Sequence, residues 1–222
     1  MKAFRDIAGQ GVPASLNMMT VALGIFVITW FAGRFSMEVV AAYGVATRVE
    51  QILLLPTIGL NIAMLTLTGQ NNGAGRYDRI REALQISTKA GLVMCVVGGV
   101  LLYFFGGFGM RLFSPDEEVI AIGFQYLRVA AITLCSYVIL FQTVFMLQGL
   151  KRPMYAIWIG IYRQIVAPFL VISLLAFTLG WGVKGIWWGV FFVTWSAALF
   201  TYWYGRRVLR KVEAEARSTT ES

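Results

Sequence analysis

Six long apolar segments constrain this chain more than any other feature. An apolar segment of about 18 residues or more crosses the ~30 Å hydrocarbon layer of a membrane as one helix. Six segments reach that length: residues 13–33, 49–69, 84–106, 129–148, 153–179 and 185–204. Charged residues make up only 14% of the 222 residues, against about 25% in soluble domains. The sequence therefore predicts an all-α membrane protein, with a six-helix transmembrane bundle over residues 1–205 and a polar cytoplasmic tail over residues 206–222.

The basic residues lie mostly at alternate ends of these segments, and cytoplasmic loops are the ones that carry an excess of lysine and arginine. One set of ends holds twelve of them: Lys2, Arg5, Arg76, Arg79, Arg81, Lys151, Arg152, Arg206, Arg207, Arg210, Lys211 and Arg217. The other set holds three: Arg34, Arg111 and Lys184. This asymmetry predicts a multi-pass protein of the cell membrane (inner or plasma membrane) with both termini in the cytoplasm. It also accounts for the net charge of +8 without a nucleic-acid partner.

The residue inventory excludes several kinds of chemistry. The chain has no histidine, so it has no histidine metal site and no Ser/His/Asp triad. Its two cysteines, Cys95 and Cys135, lie in apolar segments and lack metal-ligand spacing. No glycine-rich loop ending in Gly-Lys-Ser or Gly-Lys-Thr is present to hold a nucleotide phosphate. We therefore predict that the protein is not an enzyme and has no catalytic residue, metal site or cofactor.

Small residues recur at the spacing of close helix contacts. Gly91, Cys95 and Gly99 follow one another every four residues, and Gly185 and Gly189 open the last apolar segment at the same interval. Small side chains at this spacing let two helix backbones approach each other closely within lipid. We expect these positions to pack against neighbouring helices, which is a structural signal and not a functional one.

The fourth apolar segment is preceded by a helix-start signal. Residues 114–117 read Ser-Pro-Asp-Glu. Serine is a favoured N-cap, proline fits the first turn, and a glutamate three residues after a serine completes a capping box. We therefore expect Ser114 to cap a helix that runs from the headgroup level to Gln148.

Polar residues form one stripe along the second apolar segment. On a helix with ~100° per residue, Glu50, Thr57, Asn61 and Thr68 fall within about 20° of one line. A polar stripe that runs the length of a membrane span is typical of the wall of a cavity, because polar groups facing lipid are costly. The alternative is a stripe whose polar groups are satisfied by neighbouring helices.

Counting along each helix estimates the depth of its polar residues. At ~1.5 Å per residue from the cytoplasmic ends, Asn61, Tyr137 and Arg163 lie near the midplane of the membrane. Glu50 and Arg128 lie ~30 Å up, at the outer mouth. The count predicts that Glu50 pairs with Arg128, because ~15 Å of depth would separate Glu50 from Arg163.

Arg163 is then left without a carboxylate at its own level. A charged side chain near the midplane faces a cavity, free carbonyls or a partner that supplies a counter-charge. The alternative is that Arg163 caps carbonyls released in its own helix by Pro168. The substrate or ion pathway that we predict consists of Glu50, Asn61, Tyr137, Gln142 and Arg163.

Five short motifs lie in the loops and at the helix ends. The most specific is Gly-Gln-Asn-Asn-Gly-Ala-Gly at residues 69–75, followed by a basic amphipathic stretch. The others are Ala-Ala-Tyr-Gly at 41–44 with Arg-Val-Glu at 48–50, Leu-Phe-Ser-Pro-Asp at 112–116, Tyr-Leu-Arg at 126–128 and Gln-Gly-Leu-Lys-Arg-Pro at 148–153. Over roughly residues 9–205, the chain resembles the carboxy-terminal half of multidrug and toxic compound extrusion (MATE) transporters.

The resemblance implies one lobe of a two-lobe transporter. Members of this family have two six-helix lobes around a cavity that opens alternately to each side, and they export organic cations and other amphipathic compounds in exchange for H⁺ or Na⁺. The expected partners are therefore the lipid bilayer, a small amphipathic or cationic substrate, and a second six-helix lobe from a separate chain or a second copy. Some members carry a glutamate in the helix that aligns with the first one here, whereas residues 17–21 contain no acid.

Two other functions remain open at this stage. A lobe of a lipid-linked oligosaccharide flippase would share the two-lobe plan but would move a large anionic substrate, and several arginines lining its cavity would favour it. A non-transporting fragment or assembly subunit would have the helices without an activity of its own.

Overall fold

The computed structural model describes residues 19–220, and side chains up to residue 216. Its helices are α1 (Met19–Ala32), α2 (Met37–Gly73), α3 (Tyr77–Arg111), α4 (Glu117–Gly149), α5 (Met154–Thr178) and α6 (Val183–Thr220). Helices α2 to α6 are long and apolar enough to cross a membrane, and α1 is a shorter apolar helix. The beginning of the first predicted segment, residues 13–18, lies outside the described residues. The all-α membrane class is confirmed.

Helix α4 lies at the centre of the bundle. It packs against α2, α3 and α6, and 61% of its most apolar stretch is buried, compared with 22% in α2. The outer helix faces carry large exposed apolar side chains such as Phe104 and Leu170, each 68% exposed. Such a surface is expected where a helix meets lipid or another apolar surface.

An aromatic cluster joins three of the helices. The indole of Trp187, on α6, is 1% exposed. Its ring centroid lies 6.0 Å from that of Tyr43 on α2 and 5.1 Å from that of Tyr126 on α4. Because aromatic pairs add to the stability that burial supplies, this cluster fixes where the Tyr126 side chain lies relative to α2.

The predicted close approaches at small residues are confirmed. A Cβ atom added at Gly99 would lie 2.7 Å from the carbonyl oxygen of Ala131 on α4, and one added at Gly185 would lie 2.6 Å from the backbone nitrogen of Ala176. Both are contacts with backbone, which cannot move aside as a side chain can. The glycines therefore set how closely α3 approaches α4 and how closely α6 approaches the end of α5.

The helix start predicted at Ser114 is wrong by two residues. Asp116 is the N-cap of α4, and its Oδ1 atom accepts hydrogen bonds from the backbone N–H groups of Glu118 and Val119 at 2.8 and 3.3 Å. The Ser114 hydroxyl oxygen instead accepts a hydrogen bond from the Asp116 N–H at 3.3 Å. The carboxylate of Asp116 also carries a full negative charge to the positive end of the helix dipole, which favours it as the cap.

Several helices are longer than the membrane is thick. Helix α2 has 37 residues and α6 has 38, so each measures about 55 Å at ~1.5 Å per residue, whereas the hydrocarbon layer is ~30 Å thick. Both helices must therefore tilt or extend beyond the membrane. Helix α6 continues without a break past residue 205, so that residues 206–220 of the predicted tail extend the last helix.

Candidate binding site

A cavity of about 250 Å³ lies among helices α1, α2, α4, α5 and α6. The polar residues of its lining include Glu50, Tyr126, Tyr137, Arg163, Gln164 and Thr194. Val21 and Ile25 also line it and are 39% and 49% exposed, so the cavity reaches the surface of the bundle. Sites for small organic molecules usually measure about 300–1,000 Å³. The cavity is therefore the size of part of such a site.

The Glu50 carboxyl group projects from α2 into this cavity and is 5% exposed. The Tyr126 hydroxyl donates a hydrogen bond to its Oε2 atom at 2.6 Å. Its Oε1 atom is buried and has no hydrogen-bond partner among the described residues. Buried polar atoms are nearly always paired, so an unpaired carboxylate oxygen at a cavity wall is suited to accept a proton, a cation or a substrate group.

Arg163 approaches the same cavity from α5. The carbon at the centre of its guanidinium group lies 5.7 Å from the ring centroid of Tyr137 and 5.8 Å from that of Phe141. The two rings stack on each other with their centroids 6.1 Å apart. Contact with ring faces offsets part of the cost of a desolvated cation. A planar cation next to two stacked rings is thus presented to the cavity.

A local widening of α5 positions Arg163. Residues Tyr162–Val166 form a π-helical turn, in which the Ala167 N–H donates to the Tyr162 carbonyl. In a regular α-helix the Ala167 N–H would donate to the Arg163 carbonyl. The next residue, Pro168, has no N–H to offer. Turns of this kind occur often at functional sites, and here Arg163 lies on the turn and lines the cavity.

The predicted pair between Glu50 and Arg128 is wrong. Arg128 lies over the rings of Phe124 and Tyr103, at 4.4 and 5.5 Å from their centroids, while Glu50 bonds to Tyr126. Tyr126 and Arg128 are two residues apart on α4, so they point about 200° away from each other. A helix that turns Tyr126 towards Glu50 must turn Arg128 away.

The predicted separation in depth of Glu50 and Arg163 is also wrong, because both residues line the same cavity. Counting from helix ends assumes that the ends lie at one level, and helices longer than the membrane is thick break that assumption. No direct ion pair joins the two. The ion pairs among side chains of residues 19–216 are Arg81–Glu213, Arg111–Glu117 and Lys211–Glu215.

Asn61 and Gln142 bond to each other between α2 and α4. The Gln142 Nε2 atom donates to Asn61 Oδ1 at 2.9 Å, and the two residues are 0% and 7% exposed, respectively. Neither belongs to the lining of the cavity. Their predicted place in the pathway therefore stays a prediction. The Glu50 end of the polar stripe faces the cavity. In the middle of the stripe, Asn61 is bonded to α4, and the Thr57 hydroxyl donates to the Leu54 carbonyl of its own helix.

Three residues at the cavity, Tyr126, Gln164 and Gly24, are not among the site residues predicted from the sequence. In the sequence, Tyr126 stands out only as part of a motif, although a tyrosine beside an apolar segment is a candidate donor to a buried acid. Gln164 is 8% exposed and lies against Gly24, on α1, where a side chain would collide with its amide group. No sequence signal marks this contact, because it depends on the register between α1 and α5.

Comparison with known protein sequences identifies relatives over most of the chain. The MatE family profile matches residues 13–174. The probable multidrug resistance protein YpnP of Bacillus subtilis is 28% identical over 215 residues, which cover 92% of this chain and 46% of that protein. The FAD transporter of Shewanella oneidensis is 28% identical over 212 residues, which cover 93% of this chain and 45% of that protein. The chain thus spans about half the length of these relatives.

Solved structures also match this chain over about half of their own length. A crystal structure of MATE in the bent conformation matches with a TM-score of 0.91 and 19% identity, over 98% of this chain and 48% of the other. An outward-facing multidrug resistance transporter of the MATE family matches with a TM-score of 0.91 and 19% identity, over 96% of this chain and 48% of the other. At this identity the likeness shows the fold alone, which is that of half of such a molecule.

Proposed function

Because the chain belongs to the MatE family, we propose that it forms one lobe of an efflux antiporter for small amphipathic or cationic compounds. The lobe works by alternating access, with H⁺ or Na⁺ as the coupling ion. A second six-helix lobe, from a separate chain or a second copy, covers the side on which the cavity opens. The names of relatives, such as the multidrug resistance protein YpnP, support export of this class of compound.

The observation that carries the proposal is the buried Glu50 carboxyl group at the cavity wall. Among the described residues that line the cavity, Glu50 is the one acid and Arg163 the one basic residue. A carboxylate can bind a proton or can ligate Na⁺ through oxygen, and polar or ionisable groups at membrane depth mark ion and substrate paths. The Tyr126 hydroxyl holds one carboxylate oxygen in place and leaves the other free to bind.

The coupling proposed here uses competition at this carboxyl group. With Glu50 ionised, a cationic or amphipathic substrate finds a negative charge beside the stacked rings of Tyr137 and Phe141. When H⁺ or Na⁺ binds to Glu50 that attraction is lost, and the substrate is released. Rocking of this lobe against its partner then exposes the emptied site to the other side, as in other transporters built from repeated lobes.

Export of a cationic dye from cells tests the proposal. Cells produce the chain with or without the amino-terminal lobe of a relative. Export only when both are present indicates that a separate chain supplies the second lobe, and export by the chain alone indicates a second copy. We expect Glu50→Gln to abolish export at unchanged abundance, because an amide cannot exchange a proton or bind Na⁺ as a carboxylate does. Glu38→Gln, which changes an acid in the first turn of the same helix but outside the cavity, is the matched control and should export normally. Undiminished export by Glu50→Gln would contradict the proposal.

Collapsing either the H⁺ or the Na⁺ gradient in the same cells identifies the coupling ion. Export that stops with a protonophore in sodium-free medium indicates H⁺. Export that requires external sodium and survives at a clamped pH indicates Na⁺. Export that persists after both gradients are removed contradicts antiport.

Organic anions are a second candidate substrate class. Arg163 brings a cation into the cavity, and one relative is named as a FAD transporter. Release of flavin nucleotides into the medium, measured beside dye export, separates the two classes. The flippase alternative gains less support, since Arg163 is the one arginine among the described residues of the cavity lining, and a large anionic substrate favours several.

A further inference from the structure

A cleft between α3 and α6 holds three arginines at one end of the bundle. It measures about 270 Å³. Arg81 and Gln85 line it from α3, and Tyr202, Arg206 and Arg210 line it from α6. The three arginine side chains are exposed. The cleft is separate from the Glu50 cavity and shares no lining residue with it.

The positive charge of this cleft is not balanced within the described protein. Arg206 and Arg210 are four residues apart on one helix, a spacing at which like charges repel. Among side chains of residues 19–216, no carboxylate lies within salt-bridge distance of either. Arg81 does pair, with Glu213 on α6, and this contact ties the two walls together. An anion in the cleft would relieve the repulsion between Arg206 and Arg210.

The cleft also lies at the level where the apolar segments end. The last apolar segment runs to residue 204, and that of α3 begins at residue 84. Trp203 is 56% exposed, and the Arg207 guanidinium carbon lies 5.4 Å from its ring centroid. The Arg206 guanidinium carbon lies 5.5 Å from the Tyr202 ring centroid. Tryptophan and tyrosine rings of this kind collect at the headgroup level of a membrane.

We propose that this cleft binds the phosphate group of an anionic membrane lipid. Arginine forks match phosphate oxygens in pairs, and basic pockets between transmembrane helices at the membrane surface suit lipid headgroups. The acyl chains would continue along the apolar side of α6, where Leu199, 58% exposed, lies seven residues and therefore about two turns before Arg206. A free phosphate would gain nothing from that apolar surface, which favours a lipid.

Nanodiscs of defined composition test the proposal with the full chain. The chain is placed in phosphatidylcholine alone or in phosphatidylcholine mixed with phosphatidylglycerol, and its unfolding temperature and its retained lipids are measured, the latter by native mass spectrometry. We expect a higher unfolding temperature in the mixture and selective retention of phosphatidylglycerol. The double variant Arg206→Gln/Arg210→Gln should lose most of both effects. Arg76→Gln/Arg79→Gln removes the same charge near the start of α3, outside the cleft, and should keep them.

Two further experiments distinguish a bound lipid from free phosphate and allow for an unstable variant. Inorganic phosphate added to phosphatidylcholine discs should not raise the unfolding temperature, and a rise equal to that with phosphatidylglycerol would overturn the lipid assignment. If the glutamine double variant is unstable in every disc, Arg206→Lys/Arg210→Lys replaces it. We expect that variant to fold and to retain less phosphatidylglycerol than the wild type, because lysine lacks the planar fork. Equal losses in the control double variant, or equal retention of both lipids by the wild type, would overturn the proposal.

Discussion

Glu50 and Arg163 bring opposite charges to one cavity, yet each has a different immediate partner. Glu50 accepts a hydrogen bond from Tyr126, and Arg163 lies over the rings of Tyr137 and Phe141. A direct salt bridge would hold both groups in one charged state, because breaking a buried pair leaves an uncompensated charge. In the proposed coupling, separate partners would allow the carboxyl group to bind and release an ion while the arginine stays in place.

Replacement of Arg163 tests its part in transport. We expect Arg163→Leu to abolish export of the transported compound while the abundance of the variant protein in the membrane stays normal. The reason is that the cavity loses its guanidinium group and the contact of that group with the stacked rings. Arg128→Leu is the matched control, since Arg128 also lies over two rings but outside the cavity lining. Dye export and membrane abundance, measured together, decide the outcome. Normal export by Arg163→Leu, or equal loss in both variants, would show that Arg163 has no specific role in the site.

At the scale of the helices, the distance between α3 and α4 is limited by contact between their backbones. Gly99→Ala would place a methyl group 2.7 Å from the Ala131 carbonyl oxygen, and overpacking of this kind costs about 1–3 kcal/mol. We therefore expect a lower unfolding temperature for this variant in detergent. Gly59→Ala adds a methyl group inside α2 with nothing within 4 Å, so it should be neutral or slightly stabilising. Equal unfolding temperatures for the two variants would contradict the packing described here.

The orientation of the helices is a prediction from the distribution of basic residues. A cysteine at Tyr77, where α3 begins, should resist a membrane-impermeant thiol reagent applied to intact cells and should react after the cells are opened. A cysteine at Glu118, in the first turn of α4, should react from outside. The two native cysteines are first replaced by alanine. Labelling of the Tyr77 position from outside would reverse the proposed topology.

Patterns within one helix were predictable at the element scale, and relations between helices were not. The apolar segments anticipated the helices, and the four-residue spacing of Gly91, Cys95 and Gly99 anticipated a close helix contact. The predicted Glu50–Arg128 pair was wrong because a residue count along a helix gives only position along the helix axis. It does not give the tilt of the helix, its length beyond the membrane or the direction in which each side chain points. The π-helical turn at Tyr162–Val166 had no signal beyond the nearby proline.

At the scale of the whole molecule, two features of the cavity belong together: it is smaller than a usual small-molecule site, and it reaches the surface of the bundle. The chain matches about half of each related structure. A site that one lobe forms only in part accounts for both observations, because the remaining wall would come from the second lobe. The unpaired Glu50 oxygen lies at the wall of that site.

Protection of a cysteine in the cavity by the transported compound tests the central claim most directly. Thr47 lines the cavity one turn before Glu50, and Thr66, exposed on the same helix, lies outside it. Each is replaced by cysteine in a chain without Cys95 and Cys135, and the rate of alkylation is measured with both lobes present, with and without an exported dye. We predict that the dye slows alkylation at position 47 and leaves position 66 unchanged. Equal rates at position 47 with and without a dye that the same cells export would show that the binding site lies elsewhere.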